Sequence, residues 1–77
     1  MQIRLRAVGV LARYMPEGKE WIEVSLSEAR PVQEVLRQVG LNPDLVASVL
    51  IGGRRRDKDY LVEDGDEVVC LPPLAGG

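Results

Sequence analysis

Pro31-Val32-Gln33-Glu34-Val35-Leu36-Arg37-Gln38-Val39-Gly40 is where the hydrophobic period of this chain changes. Val32, Val35, Leu36 and Val39 stand at i, i+3, i+4 and i+7, which aligns them on one face of an α-helix. Pro31 suits the first turn, where its missing N–H costs nothing. Gly40 fits the left-handed position that closes a helix. No Ser, Thr, Asp or Asn stands directly before Pro31, so no side-chain cap marks the start. The spacing predicts one helix over residues 31–39, set among segments that read with period two.

On the N-terminal side, residues 2–8 alternate. Ile3, Leu5 and Ala7 point one way, and Gln2, Arg4, Arg6 and Val8 the other, as in a strand with one buried face. Gly9 breaks the pattern. Val10 to Tyr14 suit a short helical turn, and Pro16-Glu17-Gly18-Lys19 reads as a turn. Residues 20–26 alternate again, with Trp21 opposed to Ile22 and Val24. The short connection makes this strand antiparallel to the first.

On the C-terminal side, Asn42-Pro43-Asp44 is a turn. Residues 46–51 are apolar and β-branched and read as a third strand. Gly52-Gly53 is a hairpin signal. Arg54 to Lys58 form a short charged edge strand that guards against edge pairing. Tyr60, Leu61 and Val62 return toward the core, and Asp64-Gly65-Asp66 turns the chain into a last strand, Glu67 to Leu71. No repeat, linker or low-complexity segment interrupts the series. The fold class is α+β: a mixed four- to five-stranded sheet with one helix on one face, the β-grasp (ubiquitin-like) layout. In that layout the first and last strands lie parallel and adjacent at the sheet centre. The division expected is a folded domain over residues 1–71 and a flexible tail over 72–77.

At 77 residues the chain makes one domain. A chain of this length buries only ~60% of its unfolded surface, enough for one small core and no deep cleft of its own. Phenylalanine is absent and aromatic residues make up 4%, so the core must be built from Val, Leu and Ile. Ten basic and twelve acidic residues give a net charge of −2, which leaves no electrostatic footprint for nucleic acid. No apolar run approaches the ~20 residues that span a membrane. The alternating N-terminus lacks the apolar core of a signal peptide, so the expected address is the cytoplasm.

Much site chemistry is missing. There is no histidine, the commonest general base and metal ligand. Cys70, the lone cysteine, shares a strand face with Val68 and reads as a small buried hydrophobe. No metal-ligand spacing is present. The run Asp57 to Glu63 fails as a calcium loop, because Leu61 stands where a ligand is needed and Val62 where glycine is needed. Gly52-Gly53 lacks the following Lys-Ser or Lys-Thr of a phosphate loop. Arg54-Arg55-Arg56 reads as a solvated hairpin tip, with no interleaved aromatic and with Asp57 and Asp59 close by.

The chemistry is concentrated at the end, in Leu71-Pro72-Pro73-Leu74-Ala75-Gly76-Gly77. Proline cannot donate to a sheet, so Pro72 and Pro73 stop the strand and stiffen the exit. Two glycines leave the last residues thin and conformationally free, able to enter a slot that a folded domain cannot. The stretch Asp64-Gly65-Asp66-Glu67-Val68-Val69-Cys70-Leu71-Pro72-Pro73-Leu74-Ala75-Gly76-Gly77 resembles the C-terminus of the ubiquitin-like sulfur carriers, and most of all the MoaD type, the small subunit of molybdopterin synthase (MoaD/ThiS superfamily). Tails in that family read G-D-E-V, then apolar residues, then P-P-hydrophobic-small-G-G. The likeness covers the last fourteen residues closely and the rest by pattern and length. Leu71 departs from it, since the molybdopterin carriers often have an aromatic there.

The resemblance implies a sulfur carrier that binds no cofactor and is a co-substrate, not an enzyme in itself. An adenylating enzyme of the ubiquitin-activating type would use ATP on the Gly77 carboxylate, and a sulfur donor would convert it to a thiocarboxylate. The carrier would then dock on the molybdopterin synthase large subunit. Gly77 would carry the chemistry, Gly76 give access, Ala75 and Leu74 contact the slot, and Pro73 and Pro72 set direction. Beside the tail, Arg6, Val8, Val69 and Leu71 are expected on the outward face as a mixed apolar and basic docking patch. Three other readings stay open: the same carrier serving thiamine or cysteine synthesis, a ubiquitin-like modifier joined to lysines through Gly77, and a β-grasp binding module with an inert tail.

Overall fold

The structure, a computed structural model, describes residues 1–73. Five strands, β1 (Gln2–Ala7), β2 (Ile22–Ser25), β3 (Ser48–Ile51), β4 (Arg54–Arg56) and β5 (Glu67–Leu71), form one mixed sheet in the order β2-β1-β5-β3-β4. A single α-helix, α1 (Val32–Val39), covers one face, and 3-10 turns occupy Gly9–Tyr14, Pro16–Gly18 and Pro43–Leu45. This is the β-grasp architecture. β1 and β5 run parallel at the centre, with Leu5 beside Val68 and Ala7 beside Cys70. All other neighbours are antiparallel.

The alternation in sequence becomes two chemically different faces. Ile3, Leu5, Val24, Val49, Val68 and Cys70 point under the helix and are buried. Val32, Val35 and Leu36 meet them from α1, with Val39 packed at the margin. Burial of each such side chain contributes about 1.5–3 kcal/mol. Leu11, Met15, Leu41, Val46 and Val62 close the ends of the layer.

The uncapped start of α1 has a tertiary solution. Pro31 is the N-cap with extended φ and ψ, and no side chain caps it. Instead the Val32 N–H donates to the Tyr60 carbonyl at 2.9 Å and the Gln33 N–H to the Lys58 carbonyl at 3.0 Å. Two of the orphan donors of the first turn are therefore met by a segment far away in sequence. At the other end Gly40 is left-handed, with φ 85°, and the Leu41 N–H reaches back to the Leu36 carbonyl at 2.9 Å. This is the Schellman closure that the glycine permits.

Gly52 and Gly53 both have positive φ, 61° and 79°, and join β3 to β4 through a two-residue turn of the I′ kind. The strands are shorter than the sequence pattern suggests: β3 starts at Ser48, and β4 stops at Arg56. Leu61 is a correction. It does not return to the core but is 56% exposed, whereas Val62 is fully buried. Leu61 bridges to Pro31 in extended backbone, where neighbours point to opposite sides, so seating Val62 inside turns Leu61 out.

Candidate functional site at the root of the tail

β5 lies between β1 and β3, so the chain leaves the sheet from its centre. The exit is held on both sides. The Val8 N–H donates to the Cys70 carbonyl at 3.2 Å, and the Ala47 N–H to the Leu71 carbonyl at 2.9 Å. Pro72 follows and ends the ladder. Pro72 is half-buried and Pro73 exposed. The two prolines are flanked by grooves. One, of about 470 Å³, is lined by Gly9, Val10, Ala47, Ser48, Arg55 and Leu71 with the prolines. The other, of about 300 Å³, is lined by Val10, Leu11, Arg13, Tyr14 and Leu45 with the prolines. Gly9 has φ 61°, and a Cβ built there would stand 3.6 Å from Pro72 Cγ. Leu74, Ala75, Gly76 and Gly77 lie outside the described residues.

Arg6, Val8, Val69 and Leu71 all lie on the sheet face away from α1 and are half-buried. Arg6, Val69 and Leu50 stand side by side across β1, β5 and β3, and Leu71 stands beside Ser48. The arginines of β1 are committed to local partners. Arg4 pairs with Glu67 at 2.5 Å, and its guanidinium lies 4.3 Å from the Trp21 ring centroid. Arg6 lies 5.3 Å from the same ring and reaches Glu20 at 3.6 Å. Such cation–π contacts at exposed sites are worth about 0.5–1 kcal/mol. They draw the basic character of this face toward β2 and leave Val8, Val69, Leu50 and Leu71 as its apolar part.

Three neighbours of the tail root escape sequence reasoning: Val10, 64% exposed, Tyr14, 49% exposed, and Arg55. Val10 and Tyr14 share the 3-10 turn Gly9–Tyr14 and Arg55 comes from β4, so no local spacing unites all three. The solvent exposure of two large apolar residues on one 3-10 turn is the only signal, and it needs the fold to be seen.

Cys70 is fully buried on the helix side of β5, beneath the row that holds Val69 and Leu71. Burial pushes its thiol up to about 12, so it stays protonated and inert near neutral pH. Among the described residues no group of three or more His, Cys, Asp or Glu side chains could hold a metal, and no helix is long and apolar enough to cross a membrane.

Comparison with protein-family models and with curated proteins gives no match. Solved structures do match across the whole fold. The HVO 2177 protein of Haloferax volcanii is 28% identical, with TM-score 0.77, over 100% of this chain and 87% of that one. SAMP1 from Haloferax volcanii is 22% identical, with TM-score 0.72, over 100% of both chains. A putative molybdopterin converting factor, subunit 1, from Pyrococcus furiosus is 18% identical, with TM-score 0.69, over 95% of this chain and 98% of that one. These neighbours share the fold.

Proposed function

We propose that this chain is a ubiquitin-like sulfur carrier of the MoaD type, serving molybdopterin synthesis. The observation that carries the reading is the tail root: a strand at the sheet centre, clamped through Cys70 and Leu71, that runs into Pro72-Pro73 and a sequence ending in Gly76-Gly77. After Leu71 six residues remain, a reach of at most ~20 Å when extended. That length carries the Gly77 carboxylate into a neighbouring protein's slot. Pro72 and Pro73 keep its first part extended, which limits the entropy lost on insertion.

A carboxylate is a poor electrophile. An adenylating partner of the ubiquitin-activating type supplies a good leaving group from ATP, and a sulfur donor then displaces AMP to leave a thiocarboxylate. The partner's slot excludes water from the activated acyl group. The charged carrier then docks on the molybdopterin synthase large subunit and gives up its sulfur. On this reading the carrier is a co-substrate, and no side chain of its own takes part in the chemistry.

The test is intact mass after incubation with ATP, the adenylating enzyme and a sulfur donor. Replacement of oxygen by sulfur adds about 16 Da to the activated acyl terminus. The gain should appear on the full chain and vanish when Gly77 is deleted. Conversion of the deleted chain would overturn the reading.

A second reading, a protein modifier joined through Gly77, is favoured by one specific finding. The small archaeal modifier protein 1 of Haloferax volcanii is among the structural neighbours, 18% identical with TM-score 0.69. Gly-Gly remnants on lysines of cellular proteins, released by proteolysis, would support it.

A further inference from the structure

We infer that the outer edge of β4 is a docking strip for an acidic, extended segment of the partner that handles the tail. β4 is a terminal strand of the sheet, paired only with β3. In a two-residue hairpin the pair flanking the turn, here Ile51 and Arg54, exchanges both ladder hydrogen bonds, and the next pair, Leu50 and Arg55, exchanges none. The N–H and C=O of Arg55 therefore face outward, and the arginines that guard this edge against a basic or apolar strand leave it open to an acidic one.

The charge on this edge is uncommitted. Arg4, Arg6, Lys19 and Arg37 each pair with a glutamate, whereas Arg54, Arg55 and Arg56 have no ion-pair partner among the described residues. Arg54 and Arg55 are exposed. Arg56 is half-buried, its guanidinium 5.0 Å from the Tyr60 ring centroid. Successive arginines point to opposite sides of the strand, so an added strand would meet cations on both of its faces. Charge complementarity thus selects carboxylates on the incoming segment. A single-stranded nucleic acid would need a free aromatic platform, and the one adjacent ring, Tyr60, is covered by Arg56.

Position ties this edge to the tail. Arg55 lines the same groove as Leu71, Pro72 and Pro73, so a segment lying along β4, one strand removed from β5, is joined to the tail root by that groove. The identity of the partner rests on the carrier reading; the strip itself does not.

The experiment is an amide NMR titration of the ¹⁵N-labelled chain with a capped peptide of alternating Glu and Val. Shifts centred on Arg55, slowed exchange of its N–H and weakening by salt are expected. A Lys-Val peptide and an Arg55→Glu chain should bind at least about tenfold more weakly. A Glu-Val peptide N-methylated at alternate residues should fail to slow the exchange. A chain lacking Gly77 should bind unchanged, so loss of the sulfur-carrier reading would leave this result standing. Absence of shifts at Arg55 at millimolar peptide, equal binding of the N-methylated peptide, or tighter binding of a uridine oligonucleotide would each overturn the proposal.

Discussion

The carbonyl of Leu71 accepts the Ala47 N–H at 2.9 Å, so the last backbone group before Pro72 is anchored to the chain that leads into β3. Everything beyond Leu71 starts from a fixed point. Deleting Gly77, or adding one residue after it, removes no contact of the described core. We expect an unchanged melting temperature by circular dichroism and complete loss of thiocarboxylate formation by mass. Gly76→Val should fail in the same assay through bulk. Normal conversion by any of these variants would exclude the proposed mechanism.

Leu71 and Val69 are half-buried on the face away from α1. Leu71→Asp places a charge where no core side chain is displaced, so a loss of only about 1 kcal/mol is expected. Binding to the proposed adenylating partner, followed by calorimetry, should weaken markedly. Unfolding of Leu71→Asp would mean that the side chain supports the core after all. Unchanged binding would remove the outer face from the interface.

Leu36 is fully buried at the centre of the helix–sheet layer. Leu36→Ala should cost about 2–5 kcal/mol, read as a lower midpoint in urea unfolding with an unchanged slope. For a domain of this size that is a fall of at least about 10 °C in Tm.

Gly40 holds φ 85°, and nothing lies within 4 Å of a Cβ placed there. Gly40→Ala therefore tests backbone strain without a clash. A loss of about 1 kcal/mol is expected, since an L-residue enters the left-handed region at roughly that cost. A neutral result would show that the closing turn of α1 relaxes.

Cys70 should resist iodoacetamide in the native state and react once the chain is unfolded. Its folded pKa is raised by burial from 9.0 to about 12. Below pH 9 both folded and unfolded thiols are protonated, and the group adds no pH dependence. Between pH 9 and about 12 the unfolded state loses its proton and the folded state keeps it, so stability falls as pH rises. Cys70→Ala should flatten that part of the pH–stability curve.

The main features of this fold are written in local pattern. Ile3, Leu5 and Ala7 alternate because one face of β1 is covered, and Val32, Val35, Leu36 and Val39 repeat as a helix because one stripe of α1 does the covering. Those periods also assign Val69 and Leu71 to the outer face. What was not legible depends on residues distant in sequence. The cap of α1 is the backbone of Lys58 and Tyr60, which no side-chain code announces. Leu61 looks like a core residue, but the seating of Val62 turns it outward. Arg6 reads only as the basic member of an outward patch, and its partners Trp21 and Glu20 are brought beside it by the fold.

The central pairing of β1 with β5 joins the two most distant strands of the chain. Hairpins such as β3–β4 close cheaply, whereas this ladder carries the entropy of a long loop closure. The anchor of the tail is built from the same ladder, through Val8 and Cys70. A chain trapped before that step would have helix and hairpins yet no rigid base behind Pro72. Without its completed sheet the chain therefore lacks the fixed point from which Pro72 departs.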